Sequence, residues 1–141
     1  MKTYDLADVI AVVPWDEVSG HPAYDPRDSY VEHYWLPVIG PTCTLLLRRC
    51  AEVFESYFTG FDMNCVEMSR AMGLGNPGRW APFARAVHRL DLFGFAQPLG
   101  SVGTVDRLRV RRTVPVLSSR QVASLPITLR DAYQSKAWGA P

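Results

Sequence analysis

Residues 41–58, PTCTLLLRRCAEVFESYF, place apolar side chains at Cys43, Leu46, Leu47, Cys50, Val53, Phe54 and Tyr57. Steps of three and four residues put these on one face of a helix of about four to five turns. Arg48, Arg49, Glu52, Glu55 and Ser56 take the opposite side. Pro41 suits a first helical position, where its missing N–H is not needed, and Gly60 stops the run. A chain that builds this much amphipathic helix must bury its apolar face against other elements.

The residues downstream supply them. Asp62 stands as an N-cap ahead of Cys65, Val66, Met68, Ser69 and Met72, which predicts a short helix over about 62–72. In RWAPFARAVHRLDLFGF, Phe83, Ala86, Val87 and Leu90 recur at helical spacing, predicting a helix over about 79–93 before Gly94. The period then changes to two. Phe95–Leu99, a Gly-Ser-Val-Gly turn and Val105–Arg111 read as a hairpin over about 95–112, with Pro98 suited to an edge strand.

The flanks are less regular. Residues 1–26 mix apolar and acidic residues with Pro14, Gly20, Pro22 and Pro26, and read as an irregular arm with one short element at Leu6–Val13. Asp28-Ser29 caps a short helix through Tyr34-Trp35, ahead of Pro37. At the other end, Ser118 or Ser119 caps a short helix that Leu125-Pro126 breaks, and ITLRDAYQSKAW forms a last helical piece. The expected organisation is an acidic aromatic arm over 1–35, a central domain over 36–114 and a helical tail over 115–141.

A length of 141 residues with 48% hydrophobic and 21% charged composition is that of one soluble globular domain. No apolar run is long enough for a membrane span, and Met1-Lys2-Thr3-Tyr4-Asp5 does not begin a secretory signal. Three cysteines, Cys43, Cys50 and Cys65, form no C-x-x-C pair and no zinc spacing, so they read as reduced, buried thiols in a cytoplasm. The net charge of +1 is unevenly spread. Residues 1–35 set Lys2 and Arg27 against Asp5, Asp8, Asp16, Glu17, Asp25, Asp28 and Glu32, a net of −5. Residues 91–141 set six Arg and Lys136 against three Asp, a net of +4, which points to a polyanionic partner for the C-terminal half.

GLGNPG, residues 73–78, fits the G-x-G-x-x-G spacing of dinucleotide-binding loops. That loop needs a strand before its first glycine and an acid about 20 residues on. Here DMNCVEMSRAM precedes it with helical period, Asp91 comes too early and Asp106 too late. The same six residues resemble the signature of peptidyl-tRNA hydrolases, but RWAPFARAVHRL follows without the His-Asn pair of that family. The stretch reads as a stop and turn between two helices.

The order helix 41–58, helix 62–72, turn, helix 79–93, hairpin resembles the winged helix-turn-helix proteins of the MarR and phage- or plasmid-replication types. VEMSRAMGL is similar to the first helix of the motif, with Ser69 or Ala71 as the small residue that allows close packing. PFARAVHRLDLFGF is similar to a recognition helix that leads into a wing strand. The resemblance implies an α+β, mostly helical fold and a bacterial or phage DNA-binding protein of transcriptional or replication control, nucleoid-associated, without catalysis, metal or cofactor.

On that reading the 79–93 helix turns Arg79, Arg85, His88 and Arg89 outward beside Ala81 and Ala84, and Trp80 touches the DNA backbone. Arginine in a major groove donates two hydrogen bonds to guanine, each such pair discriminating by ~1–3 kcal/mol. Arg107, Arg109 and Arg111 share a strand face and, with Arg112, neutralise phosphates or enter a minor groove. The partner is double-stranded DNA, and the last helical piece is a candidate homodimer contact. The alternative is a winged-helix interaction module whose acidic residues 1–35 engage a protein partner.

Overall fold

In the computed structural model, which describes residues 5–16, 22–100 and 103–136, the acidic head is not an irregular arm. Asp5–Trp15 forms an eleven-residue strand, β1, in the interior of a four-stranded mixed sheet. β1 runs antiparallel to β3 (Phe61–Asn64) on one side and parallel to β5 (Thr104–Arg111) on the other. β4 (Ala96–Leu99) closes the far edge, giving the order β3-β1-β5-β4. A strand paired on both edges reads as a near-continuous apolar run rather than a clean alternation. Its acids at Asp5 and Asp8 and its proline disguise it. Pro14 lies beyond the reach of β3, where one edge is open and a missing N–H is tolerated.

β3 is the second departure. The expected helix start at Asp62 is instead strand, and Asn64 is the N-cap, its side chain accepting the Glu67 N–H at 3.0 Å. Phe61 and Met63 alternate with Asp62 and Asn64, a period-two signal only four residues long. Gly60 makes the pairing possible. Its φ is +132°, and a Cβ there would lie 2.6 Å from the Val12 carbonyl oxygen.

The helices lie on one side of the sheet. α1 (Leu36–Ile39) follows a π-helical turn over Val31–Trp35, just ahead of Pro37, and Asp28 begins this segment by accepting the Tyr30 N–H. The expected helix through Trp35 therefore continues past the proline. α2 (Pro41–Ser56) buries Cys43, Leu46, Leu47, Cys50 and Phe54 at the anticipated spacing. α3 (Cys65–Ala71) and α4 (Pro82–Leu92) are shorter than their expected spans. Together with Ile10, Val12, Met63, Leu108 and Val110 from the sheet, they enclose one hydrophobic core.

Head and tail are fastened to each other. β2 (Ala23–Tyr24) pairs with β6 (Val114–Pro115), and Ser118 caps α5 (Ser119–Ala123) in a reciprocal box with Gln121. α6 (Ile127–Ser135) brings the Tyr133 hydroxyl to 2.8 Å from that of Tyr30, which also accepts the Leu117 N–H at 2.9 Å. The Trp35 indole donates to the Pro115 carbonyl at 2.7 Å. The expectations for Ala137 and Trp138 lie outside the described residues. The fold is α+β, and no described helix is long and apolar enough to cross a membrane.

Candidate nucleic-acid interface

GLGNPG forms most of the loop between α3 and α4. Gly73 and Gly75 adopt φ of +76° and +72°, a conformation that side chains resist. Leu74 N–H donates to the Ser69 carbonyl, the Ser69 hydroxyl to the Gly75 carbonyl at 2.6 Å, and Arg70 Nε to Asn76 Oδ1. The loop is thus folded back on the helix that precedes it. Ser69, fully buried, takes the small-residue place, whereas Ala71 is exposed.

Because α4 begins at Pro82, Arg79 and Trp80 belong to the loop and not to the helix. Both are exposed, Trp80 to 64%, and the Arg79 guanidinium sits near the indole. Arg79 Nε is 3.8 Å from an Asp5 carboxylate oxygen, and the Asp5 N–H donates to the Gly103 carbonyl at 3.1 Å. This chain of contacts sets the start of the helix segment beside the turn of the β4–β5 hairpin.

α4 is covered on most of its circumference. Phe83, Ala84, Ala86, Val87, His88 and Leu90 are buried, leaving a stripe of Pro82, Arg85, Arg89 and Leu92. His88 is only 7% exposed, so it does not join the outward set, and Ala84 is likewise inside. The arc that α2 and β4 cover is wider than the apolar periodicity alone implied. Arg89 donates to the Val38 carbonyl at 3.2 Å and lies over Phe93, whereas Arg85 has no carboxylate partner among the described residues.

The strand arginines divide into two groups. Arg107, Arg109 and Arg111 share the sheet face turned away from the helices, alternating with buried Leu108 and Val110. Their partners in register on β1 are Ala11, Val13 and Trp15. Arg109 and Arg111 both stack on Trp15, at 4.0 and 4.5 Å from the ring centre, and Arg111 Nε donates to the Gly94 carbonyl at 2.6 Å. Trp15 carries no signal of this role in the sequence, where an aromatic in a proline-flanked acidic segment reads as arm. Arg112 points the other way. It pairs with Asp16 at 3.0 Å, donates to the Phe58 carbonyl and lies over Phe54 and Phe58, so its contacts hold the fold together.

The three thiols are free and buried, and Cys43 donates to the Ala86 carbonyl. Burial pushes Cys50 up to about 12 and Cys43 and Cys65 up to about 11. Neutral, inward-facing thiols of this kind are poor nucleophiles. No group of side chains suited to hold a metal occurs among the described residues. No family model, curated protein or solved structure matches the chain.

Proposed function

We propose that the chain is a winged-helix-type protein that binds duplex DNA through the exposed stripe of α4 and the loop ahead of it. The observation that carries this reading is the link from Arg79 through Asp5 to Gly103 at the start of β5, with Arg85 exposed on the helix that follows. Arg85 is the group with reach toward base edges, and Arg79 is placed for a phosphate. The hairpin differs from a free two-stranded wing because β1 pairs with β5 along most of its length. Among the described residues, the outer edge of β4 is the edge of this hairpin left unpaired.

Binding of a labelled random-sequence duplex, followed by anisotropy across about 50–200 mM salt, tests the reading. The double variant Arg79→Ala/Arg85→Ala takes away two cations that face phosphate or groove, and should flatten the log–log salt slope by about 1.8. Wild-type protein that leaves the duplex free at low salt overturns it. A second reading, a protein-interaction module, is favoured by Leu92, which ends the same stripe at 68% exposure. Leu92→Asp separates the two: loss of a protein partner with no effect on DNA supports the module. The acidic head serves neither reading as a detachable arm, since β1 is interior strand.

A further inference from the structure

The outer face of the sheet holds a cluster that the α4 surface does not use. Two guanidinium groups, those of Arg109 and Arg111, rest on one indole ring. Among the described residues neither Arg109 nor Arg107 has a carboxylate partner, and Arg109 Nε is buried without a hydrogen-bond acceptor. Acids border the cluster at Asp62, in register two strands away through Ala11, at Asp106, next to Arg107 in the chain, and at Asp16, which follows Trp15 and pairs with Arg112. Like charges gathered this closely are relieved by an anion. Arg111 Nε is committed to the Gly94 carbonyl, so the groups placed for a two-pronged bond to phosphate are the exposed Arg107 guanidinium and the terminal nitrogens of Arg109.

We propose that this face binds the backbone of a single-stranded nucleic acid laid along β5. Alternate residues on a strand are about 6.6–6.8 Å apart, comparable with the separation of successive phosphates in an extended strand. Arg107, Arg109 and Arg111 are rooted at this pitch along β5, and the two that converge on Trp15 gather charge at one end of the row. Ala11 and Val13 on one side and Leu99 on the other border the row, none of them fully buried. They offer apolar ground for base faces, which a single strand exposes and a duplex keeps stacked inside. Arg109 and Arg111 also lie flush with the sheet, so a flexible strand reaches them by following its twist, where a rigid cylinder does not. The site is independent of the α4 reading and stands if that reading fails.

The test uses the full chain, a fluorescein-labelled oligodeoxythymidine strand and a labelled duplex, with circular dichroism to verify folding of each variant. Arg107→Ala/Arg109→Ala is expected to weaken single-strand binding roughly tenfold and flatten its salt slope by about 1.4, at about 0.7 per phosphate contact. Arg85→Ala is expected to leave single-strand binding unchanged. Arg107→Ala alone, at an exposed position, gives half that slope change if the double variant is unstable. The proposal is overturned by a single strand left free by wild type at low salt, by binding indifferent to the arginine variants, or by equal displacement by polyglutamate. A parallel loss of duplex and single strand in every variant also overturns it, because one shared site then accounts for both.

Discussion

The two faces of the central sheet ask different things of their side chains, although a single strand, β5, serves both. On the inner face Val105, Leu108 and Val110 join an interior that also takes in Cys43, Cys50, Cys65 and the Tyr30 hydroxyl, all in neutral form. On the outer face stand Arg107, Arg109 and Arg111, two of them stacked on an indole. The inner face is sensitive to charge and the outer face depends on it. Arg112 marks the boundary, an arginine on the inner parity that covers the rim of the core at Phe54.

Alkali should break the inner face first and with the largest effect. Burial raises the three thiols from 9.0 toward about 11–12, and burial together with the Tyr133 hydroxyl raises Tyr30 well above 10.0. These groups ionise in the unfolded chain before they do in the folded one. Stability is therefore complete below about pH 9 and is lost as pH rises toward the folded values, by up to about 1.4 kcal/mol per pH unit for each group. Urea midpoints that stay level from pH 8 to pH 10.5 would contradict that interior.

Trp15→Ala comes next. It removes the ring on which Arg109 and Arg111 rest and part of the β1 surface, for an expected loss of about 2–3 kcal/mol in urea unfolding. A cost under half a kilocalorie would mean that the stack is incidental. Arg112→Ala, which forfeits the Asp16 pair, the Phe58 carbonyl bond and two ring contacts, should cost about 1–2 kcal/mol. Part of that cost should survive high salt, since the contacts with the Phe54 and Phe58 rings contribute to it. Arg85→Ala should change stability by no more than about 0.5 kcal/mol, while lowering duplex affinity. A larger stability change would recast Arg85 as a structural arginine like Arg112.

That contrast also explains which features are legible in the sequence. α2, the hairpin, the edge position of Pro98 and the Ser118 cap follow from periodicity and capping chemistry, which are local. β1 is legible only as a short element over Leu6–Val13 and β3 stays hidden, because strand identity there depends on partners far along the chain. Four residues of alternation at Phe61–Asn64 carry too little signal against a plausible N-cap at Asp62. In the candidate interface, sequence spacing correctly joins Arg107, Arg109 and Arg111 but does not tell an arginine that reaches outward from one that covers the core. His88 and Arg112 depart from expectation for that reason: helical and strand parity give direction, and neighbouring elements decide exposure.

The position of β1 sets the order in which the molecule can be assembled. β1 finds its parallel partner only when β5 has been made, Leu6 meeting Val105 about a hundred residues later in the chain. Until then the helices from Pro41 to Leu92 and the β1–β3 pair can form from nearer contacts, while Leu108 and Val110 are still missing from the core. Closing the sheet thus waits for the longest-range strand pairing among the described residues, and a chain cut before Thr104 would leave the β1 edge that β5 covers unpaired.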